Sequence, residues 1–359
     1  MELNATIKKE IRQFKEMSLD LKQMETMLAG FCDSAGELSD GLRRINSSGG
    51  KRFRPMIAWI CWKIAGKKGP IVPLMSMLEL MHTASLIHDD IVDGADLRRG
   101  VTTINRQAGI PAAIRSGDYL LARAMELLKV YRGTGINEAL SRVSELMCIG
   151  EMRGQDRIFK VDELTEHEYR EYVFGKTAAF IAESCRSGAV AGGAPEHYSL
   201  SIWEYGKHLG LAFQMRDDYL DWVEDAGTGK APLQDLRSGV MTLPVILAVN
   251  WISAGLAPDK LSSAVNNKNS VPSSAAPCSL TPDPLRSKTA LNELLKKKTK
   301  SEEEIESILQ AVKYAGTLEI AQNYISQESS LAESALDNIP GSPEKRALIQ
   351  LAKSISEVK

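Results

Sequence analysis

Apolar side chains along this chain recur at the spacing of a helix. Leu74, Met77, Leu78, Met81 and Ser85 fall at i, i+3, i+4, i+7 and i+11, one face of a helix. Ile202, Tyr205, Leu209 and Phe213 repeat the pattern on the approach to Leu220. Strict alternation at period two is hard to find, and no internal repeat of fixed period is evident. The pattern predicts an all-α protein.

Glycine and proline punctuate the helices. Breaks fall at Gly49-Gly50, at Pro70 and Pro73, at Gly192-Gly193-Ala194-Pro195 and at Gly227-Thr228-Gly229. Prolines then cluster between Pro258 and Pro284 among many Ser and Asn, which predicts a flexible surface insertion over about 253–300. A helix is expected to restart at Ser301, because Ser301 and Glu304 form a capping-box pattern ahead of Ile305, Ile308 and Leu309. The run Lys296–Lys300 followed by Glu302–Glu304 reads as a solvated helix junction. The 359 residues are then one large domain, 1–359, carrying one insertion, rather than two or three units.

Composition narrows the function classes. A hydrophobic share of 43% can fill a sizeable core, and a net charge of -2 gives no reason to expect nucleic-acid binding. The five cysteines, Cys32, Cys61, Cys148, Cys185 and Cys278, are scattered without a C-x-x-C pair, so reduced thiols are expected. The first residues are charged and carry no apolar signal core. The apolar stretch Thr242–Ile252 falls well short of the ~20 residues a spanning helix needs. A soluble, cytoplasmic protein is expected, with a peripheral membrane contact left open. Aromatic residues are scarce at 6%, which leaves the packing to Leu, Ile, Ala and Met.

The sharpest signal is a repeated aspartate cluster. Asp89-Asp90-Ile91-Val92-Asp93 recurs as Asp217-Asp218-Tyr219-Leu220-Asp221. Residues four apart on a helix project from one face, ~6 Å apart along the axis, so their like charges repel unless a cation intervenes. Hard oxygen ligands without His or Cys at metal spacing suit Mg²⁺ rather than zinc. Magnesium often bridges one or two carboxylates to phosphate oxygens, so two such ledges suggest a diphosphate site. The competing reading is helix-end charge neutralised by local arginines.

Cations accompany the clusters. Gly49-Gly50-Lys51-Arg52-Phe53-Arg54-Pro55 places glycines for close backbone approach beside three cations. Arg98-Arg99-Gly100 follows Asp93 by one to two turns, and arginine is a natural bidentate partner of phosphate or carboxylate. Lys176, Thr177 and Gln214 supply further donors, Gln214 lying three residues before Asp217. His82 stands seven residues before Asp89, near the same helical face, whereas His88 is about 100° away and reads as structural.

These residues resemble the trans-isoprenyl diphosphate synthases. The matching segments are GGKRFRP (49–55), HTASLIHDDIVDGADLRRG (82–100), GKTA (175–178), GLAFQMRDDYLD (210–221), GK (229–230) and DLRSGVMTLP (235–244). The resemblance implies an all-α bundle around a deep central cavity, usually as a homodimer, with both aspartate motifs at its mouth. It implies three Mg²⁺ ions held with the allylic diphosphate, chiefly by Asp89, Asp93 and Asp217, with Asp90, Asp218 and Asp221 in the same clusters. Lys51, Arg54, His82 and Arg99 would hold isopentenyl diphosphate. Arg98, Lys176, Thr177, Gln214 and Lys230 would hold the allylic diphosphate. The implied reaction ionises the allylic diphosphate, adds the alkene of isopentenyl diphosphate and loses a proton, with no Ser, Cys or His nucleophile.

One departure stands out: Val240 occupies a position where the family commonly has lysine. Arg237 or Lys230 is expected to compensate in part. The helix before the first motif should wall the product cavity. Ser85 and Ala84 lie one turn before Asp89, and Met81 and Leu78 lie two and three turns before it at ~5.4 Å each. Small residues at 84 and 85, where the family sets chain length with bulk, predict a product beyond fifteen carbons. The other reading is that these two side chains merely pack on a neighbouring helix. Two competing functions are a non-catalytic subunit of a heteromeric synthase and a terpene cyclase. Intact aspartates argue against the first, and a second set of diphosphate cations argues against the second.

Overall fold

The computed structural model describes residues 14–161, 165–223, 232–253 and 288–357. The first half comprises α1 (Lys15–Asp33), α2 (Ser39–Ser47), α3 (Phe53–Ile64), α4 (Val72–Val92), α5 (Ile104–Ala108), α6 (Ile110–Leu128) and α7 (Ile136–Asp156). After it come α8 (Glu166–Val173), α9 (Ala179–Gly192), α10 (Glu196–Leu220), α11 (Gln234–Ser238) and α12 (Leu243–Ser253). The last part holds α13 (Lys288–Lys296), α14 (Glu302–Tyr314), α15 (Thr317–Ala335) and α16 (Pro343–Ser356). A two-stranded antiparallel ribbon, β1 (Leu97–Arg98) and β2 (Val101–Thr102), is the sole sheet among the described residues. The all-α expectation holds.

Two helices run through the centre. α4 packs along α6 and against α1 and α3, while α10 lies between α9 and α15. The periodicity of α4 suggested a single apolar face, and the structure corrects this. Every residue from Leu74 to Met81 is buried, including Met75, Ser76, Glu79 and Leu80 on the other faces. A helix covered on all sides belongs to the core. Ser76 meets that condition by donating its hydroxyl to the carbonyl of Val72 at 2.9 Å. Pro73, expected as a break, stands in the first turn of α4, where a missing N–H costs nothing.

Close helix contacts rely on small side chains. A Cβ on Gly188 would lie 2.2 Å from the carbonyl oxygen of Ala58, so α9 can meet α3 only with glycine there. This approach seats the cation-bearing start of α3 against the middle of the bundle.

The helix expected at Ser301 is present with its full capping box. Ser301 accepts from the Glu304 backbone, and Glu304 accepts in return from the Ser301 backbone. Residues 254–287, most of the expected insertion, lie outside the described residues. Its expected end near 300 is corrected. Lys288–Lys296 is a helix with Leu291 and Leu295 fully buried, and it packs on α12 and α14. The lysine run that follows obscures the apolar spacing Leu291, Leu294, Leu295. Among the described residues, no helix is long and apolar enough to cross a membrane.

Candidate functional site

Both aspartate clusters sit at the C-terminal end of a long helix. Asp89 and Asp90 close α4, and Asp93 is its C-cap, its N–H bonded to the Asp89 carbonyl at 2.8 Å. Asp217 and Asp218 close α10, and Asp221 is its C-cap. Neither last turn carries a basic residue. A helix C-terminus is already the negative end of the macrodipole. Carboxylates in these positions repel both one another and the helix dipole, so each cluster calls for compensating positive charge.

The first cluster divides the labour. Asp90 is buried and accepts from Arg98 Nε at 2.5 Å, which ties β1 to α4. Asp93 is exposed and Asp89 half-buried, and among the described residues neither forms an arginine ion pair of this kind. Burial pushes Asp89 up to about 6, and the neighbouring Glu151 and Asp93 add to the effect against Lys176 and Arg98. Arg98 was expected on the allylic diphosphate and Asp90 on a metal; the structure pairs them with each other.

The ribbon presents the next arginine. Arg99 and Gly100 form its two-residue loop with φ of 51° and 80°, the left-handed pair that a type I′ turn requires. Arg99 Nη1 donates to the carbonyl of Gly49, bringing the ribbon tip onto the loop that carries Lys51. Arg54, in the first turn of α3, stacks its guanidinium 5.0 Å from the Phe180 ring centroid. Its Nε is buried without a hydrogen-bond partner, and burial pulls the group down to about 10 against the opposing pull of Glu79. His82 is held well below its ordinary value by burial first, then by Arg54, Arg99, Arg98 and Arg52. These guanidinium groups surround the imidazole with positive charge. The expected set Lys51, Arg54, His82 and Arg99 is therefore brought together. Lys51 also feels Asp217 across the site, although burial is the larger influence and lowers it. Arg52 plays a different part. It bonds Glu25 at 2.6 Å and Glu79 at 2.5 Å and so anchors the loop.

The second cluster is wired to the segment 174–178. That segment is a π-helical turn, a widening that often marks functional sites. Thr177 donates to Gln214 Oε1 at 2.8 Å, Gln214 Nε2 donates to Asp218 Oδ1 at 2.9 Å, and the Tyr169 hydroxyl donates to Asp218 Oδ2 at 2.7 Å. Asp218 is buried, and burial drives it up to about 7 despite these donors. Asp217 is exposed at the same helix end. Asp221 accepts from the backbone N–H groups of Gln234 and Asp235 at 3.0 and 2.9 Å, so it caps α11.

Lys176 stands near the first cluster. Its Nζ lies 3.4 Å from Glu151 Oε2 and 5.6 Å from the Tyr172 ring centroid. Burial pulls it down, but Tyr172, Glu151 and Asp89 outweigh that and raise it. The approach depends on Gly150, where a Cβ would stand 2.9 Å from the Lys176 backbone nitrogen. Sequence reasoning missed Glu151, Tyr169 and Tyr172. A capping-type polar run marks α8, but nothing local says which of its residues turns inward.

The remaining expected residues fall as follows. Lys230 lies outside the described residues. Ala84, Met81 and Leu78 are buried along α4, and Ser85 is half-buried with its hydroxyl donated to the His82 carbonyl at 2.9 Å. Arg237 does not face the site as a free cation: it grips exposed Glu302 through two bonds of 2.7 Å. No group of three or more His, Cys, Asp or Glu converges on a ready-made metal position among the described residues. Asp89, Asp93 and Asp217 nonetheless offer hard oxygen donors, which fits a cation whose other ligands come from a diphosphate.

A family model described as polyprenyl synthetase matches residues 36–276. The chain belongs to the polyprenyl synthetase family. Among its relatives, the octaprenyl diphosphate synthase of Escherichia coli is 31% identical over 311 residues, covering 86% of each chain. The fold superposes on a decaprenyl diphosphate synthase from Rhodobacter capsulatus with a TM-score of 0.82 and 27% identity, covering 97% of this chain and 98% of that one. It also superposes on a Caulobacter crescentus polyprenyl synthase crystallised with calcium and isoprenyl diphosphate, with a TM-score of 0.80, 26% identity and 98% coverage of both. Family membership places both aspartate-ended helices in a polyprenyl synthase frame.

Proposed function

We propose that this protein condenses isopentenyl diphosphate with an allylic diphosphate, head to tail, and releases an all-trans polyprenyl diphosphate longer than fifteen carbons. The observation that carries the reading is the pair of aspartate-ended helices together with the set of cations gathered near His82. One diphosphate needs the first feature and a second diphosphate needs the other.

Asp89, Asp93 and Asp217 are the carboxylates left free to hold Mg²⁺, which when bound supplies positive charge to a departing diphosphate. Lys176, seated beside Asp89 and Glu151, adds a fixed cation on that side. Lys51, Arg54 and Arg99 orient the second diphosphate, and their positive field favours the anion over a neutral competitor. Neutral His82 serves them as a hydrogen-bonding group rather than as another charge. Calcium and isoprenyl diphosphate together in the Caulobacter relative support a divalent cation at the aspartates. The long-chain reading draws on small Ala84 and Ser85 and on the octaprenyl and decaprenyl relatives. A homodimer in the cytoplasm, with a peripheral membrane contact as the lipid tail leaves, completes the proposal.

Chromatography of the products formed from Mg²⁺, isopentenyl diphosphate and farnesyl diphosphate tests the reading. A ladder or single species longer than fifteen carbons is expected. Absence of any elongated product would overturn it.

A further inference from the structure

We infer that Tyr169 is a positioning residue for the second aspartate cluster, and that Arg170, Glu328 and His208 form the brace that aims it. This rests on the proposed reading of the aspartates as the metal and diphosphate end.

Tyr169 and Arg170 are neighbours on α8, about 100° apart around the helix. Tyr169 turns toward α10 and donates to Asp218 at 2.7 Å. Arg170 turns toward α15 and donates to Glu328 Oε1 at 2.5 Å. The other oxygen of Glu328 lies 2.7 Å from His208 Nδ1, and His208 is on α10, ten residues before Asp218. One buried carboxylate therefore ties together the two helices whose Tyr169 and Asp218 must meet. A second tie runs beside it: Tyr324 of α15 donates to Glu166 of α8 at 2.7 Å, and the Arg170 guanidinium lies 5.1 Å from the Tyr324 ring centroid.

The brace is not needed to fill space. Buried ion pairs contribute little net stability, because desolvation offsets their attraction. What they do fix is geometry. A slip of α8 would remove the Tyr169 donor from Asp218 Oδ2 and shift the π-turn with Lys176 and Thr177, which follows α8 directly. Groups that hold a ligand set from behind commonly govern its affinity by 10–100-fold. Glu328 and Tyr324 lie beyond residues 36–276, so the α15 side of the brace comes from a part of the chain the family model does not reach.

The experiment uses the full chain and the variants Tyr169→Phe, Glu328→Gln and the double variant. Two quantities are read: the Mg²⁺ concentration that half-saturates prenyl transfer, and the calorimetric affinity for inorganic diphosphate at fixed Mg²⁺. Each single variant is expected to weaken both by roughly 10-fold or more, and the double variant by no more than Tyr169→Phe alone, since both act along one path. Wild-type Mg²⁺ dependence in a folded single variant would overturn the inference, as would fully additive losses in the double. Should Glu328→Gln fail to fold, Arg170→Lys takes its place with the same expectations. Lack of prenyl transfer by the unaltered chain would sink the proposed function instead, and the diphosphate affinities would still decide the brace.

Discussion

Arg98 donates to Asp90 at 2.5 Å, so two residues expected on separate ligands hold each other. The pair ties the ribbon to the end of α4, and Asp89 and Asp93 are the carboxylates of the first cluster proposed to hold Mg²⁺. Asp90→Ala should then behave as a structural lesion, because it strands Arg98 beside the helix end. A loss of about 3–5 kcal/mol is expected for breaking such a buried pair. Exposed Asp93→Ala should change stability by less than about 0.5 kcal/mol yet cost most of the Mg²⁺-dependent turnover. Urea unfolding and steady-state turnover, run on both variants, separate the two roles.

Ala84 is fully buried one turn before Asp89. Phenylalanine there should shorten the main product by narrowing the space along α4. Overpacking should also cost about 1–3 kcal/mol. The readout is reversed-phase chromatography with farnesyl diphosphate as primer. An unchanged product would remove Ala84 from the cavity wall.

Arg237 grips Glu302 at the surface, where paired charges contribute at most about 1 kcal/mol. Arg237→Ala should leave the KM for the allylic substrate within about two-fold of wild type. Val240→Lys, which restores the family's common residue, should lower that KM. A large rise in KM for Arg237→Ala would revive its role as the compensating cation.

Asp89 and Asp218 are raised to about 6 and about 7. An acid raised on folding holds its proton longer in the folded state. Metal-free protein should therefore lose stability as pH rises from about 4 to about 7, by a few kcal/mol in total. Glu328 acts the other way: burial opposes ionisation, but His208 and Arg170 prevail and lower it, so its contribution fades only in more acidic solution. Chemical unfolding in chelator across pH 4–8 measures the slope. Mg²⁺ with diphosphate should flatten it, since bound cations favour the ionised carboxylates.

Gly188 meets the backbone of Ala58 so closely that even a methyl group has no room. Gly188→Ala should cost more than about 2 kcal/mol by forcing α9 away from α3. A thermal midpoint within a degree of wild type would show that the helices part easily.

Local spacing was enough for much of this protein. Helical periodicity defined the class, the repeated D-D-x-x-D clusters named the carboxylates, and Ser301 with Glu304 marked the start of α14. These features depend on residues a turn or so apart, and that separation is written in the sequence. What the tertiary structure alone decided are pairings between elements. It engaged Asp90 with Arg98, set Asp221 to cap α11, buried α4 on every side from Leu74 to Met81, and brought Glu151 to Lys176 and Glu328 to Arg170. Arg170 and Glu328 stand 158 residues apart. No periodicity connects residues so distant; only the packing of α8, α10 and α15 determines that they meet.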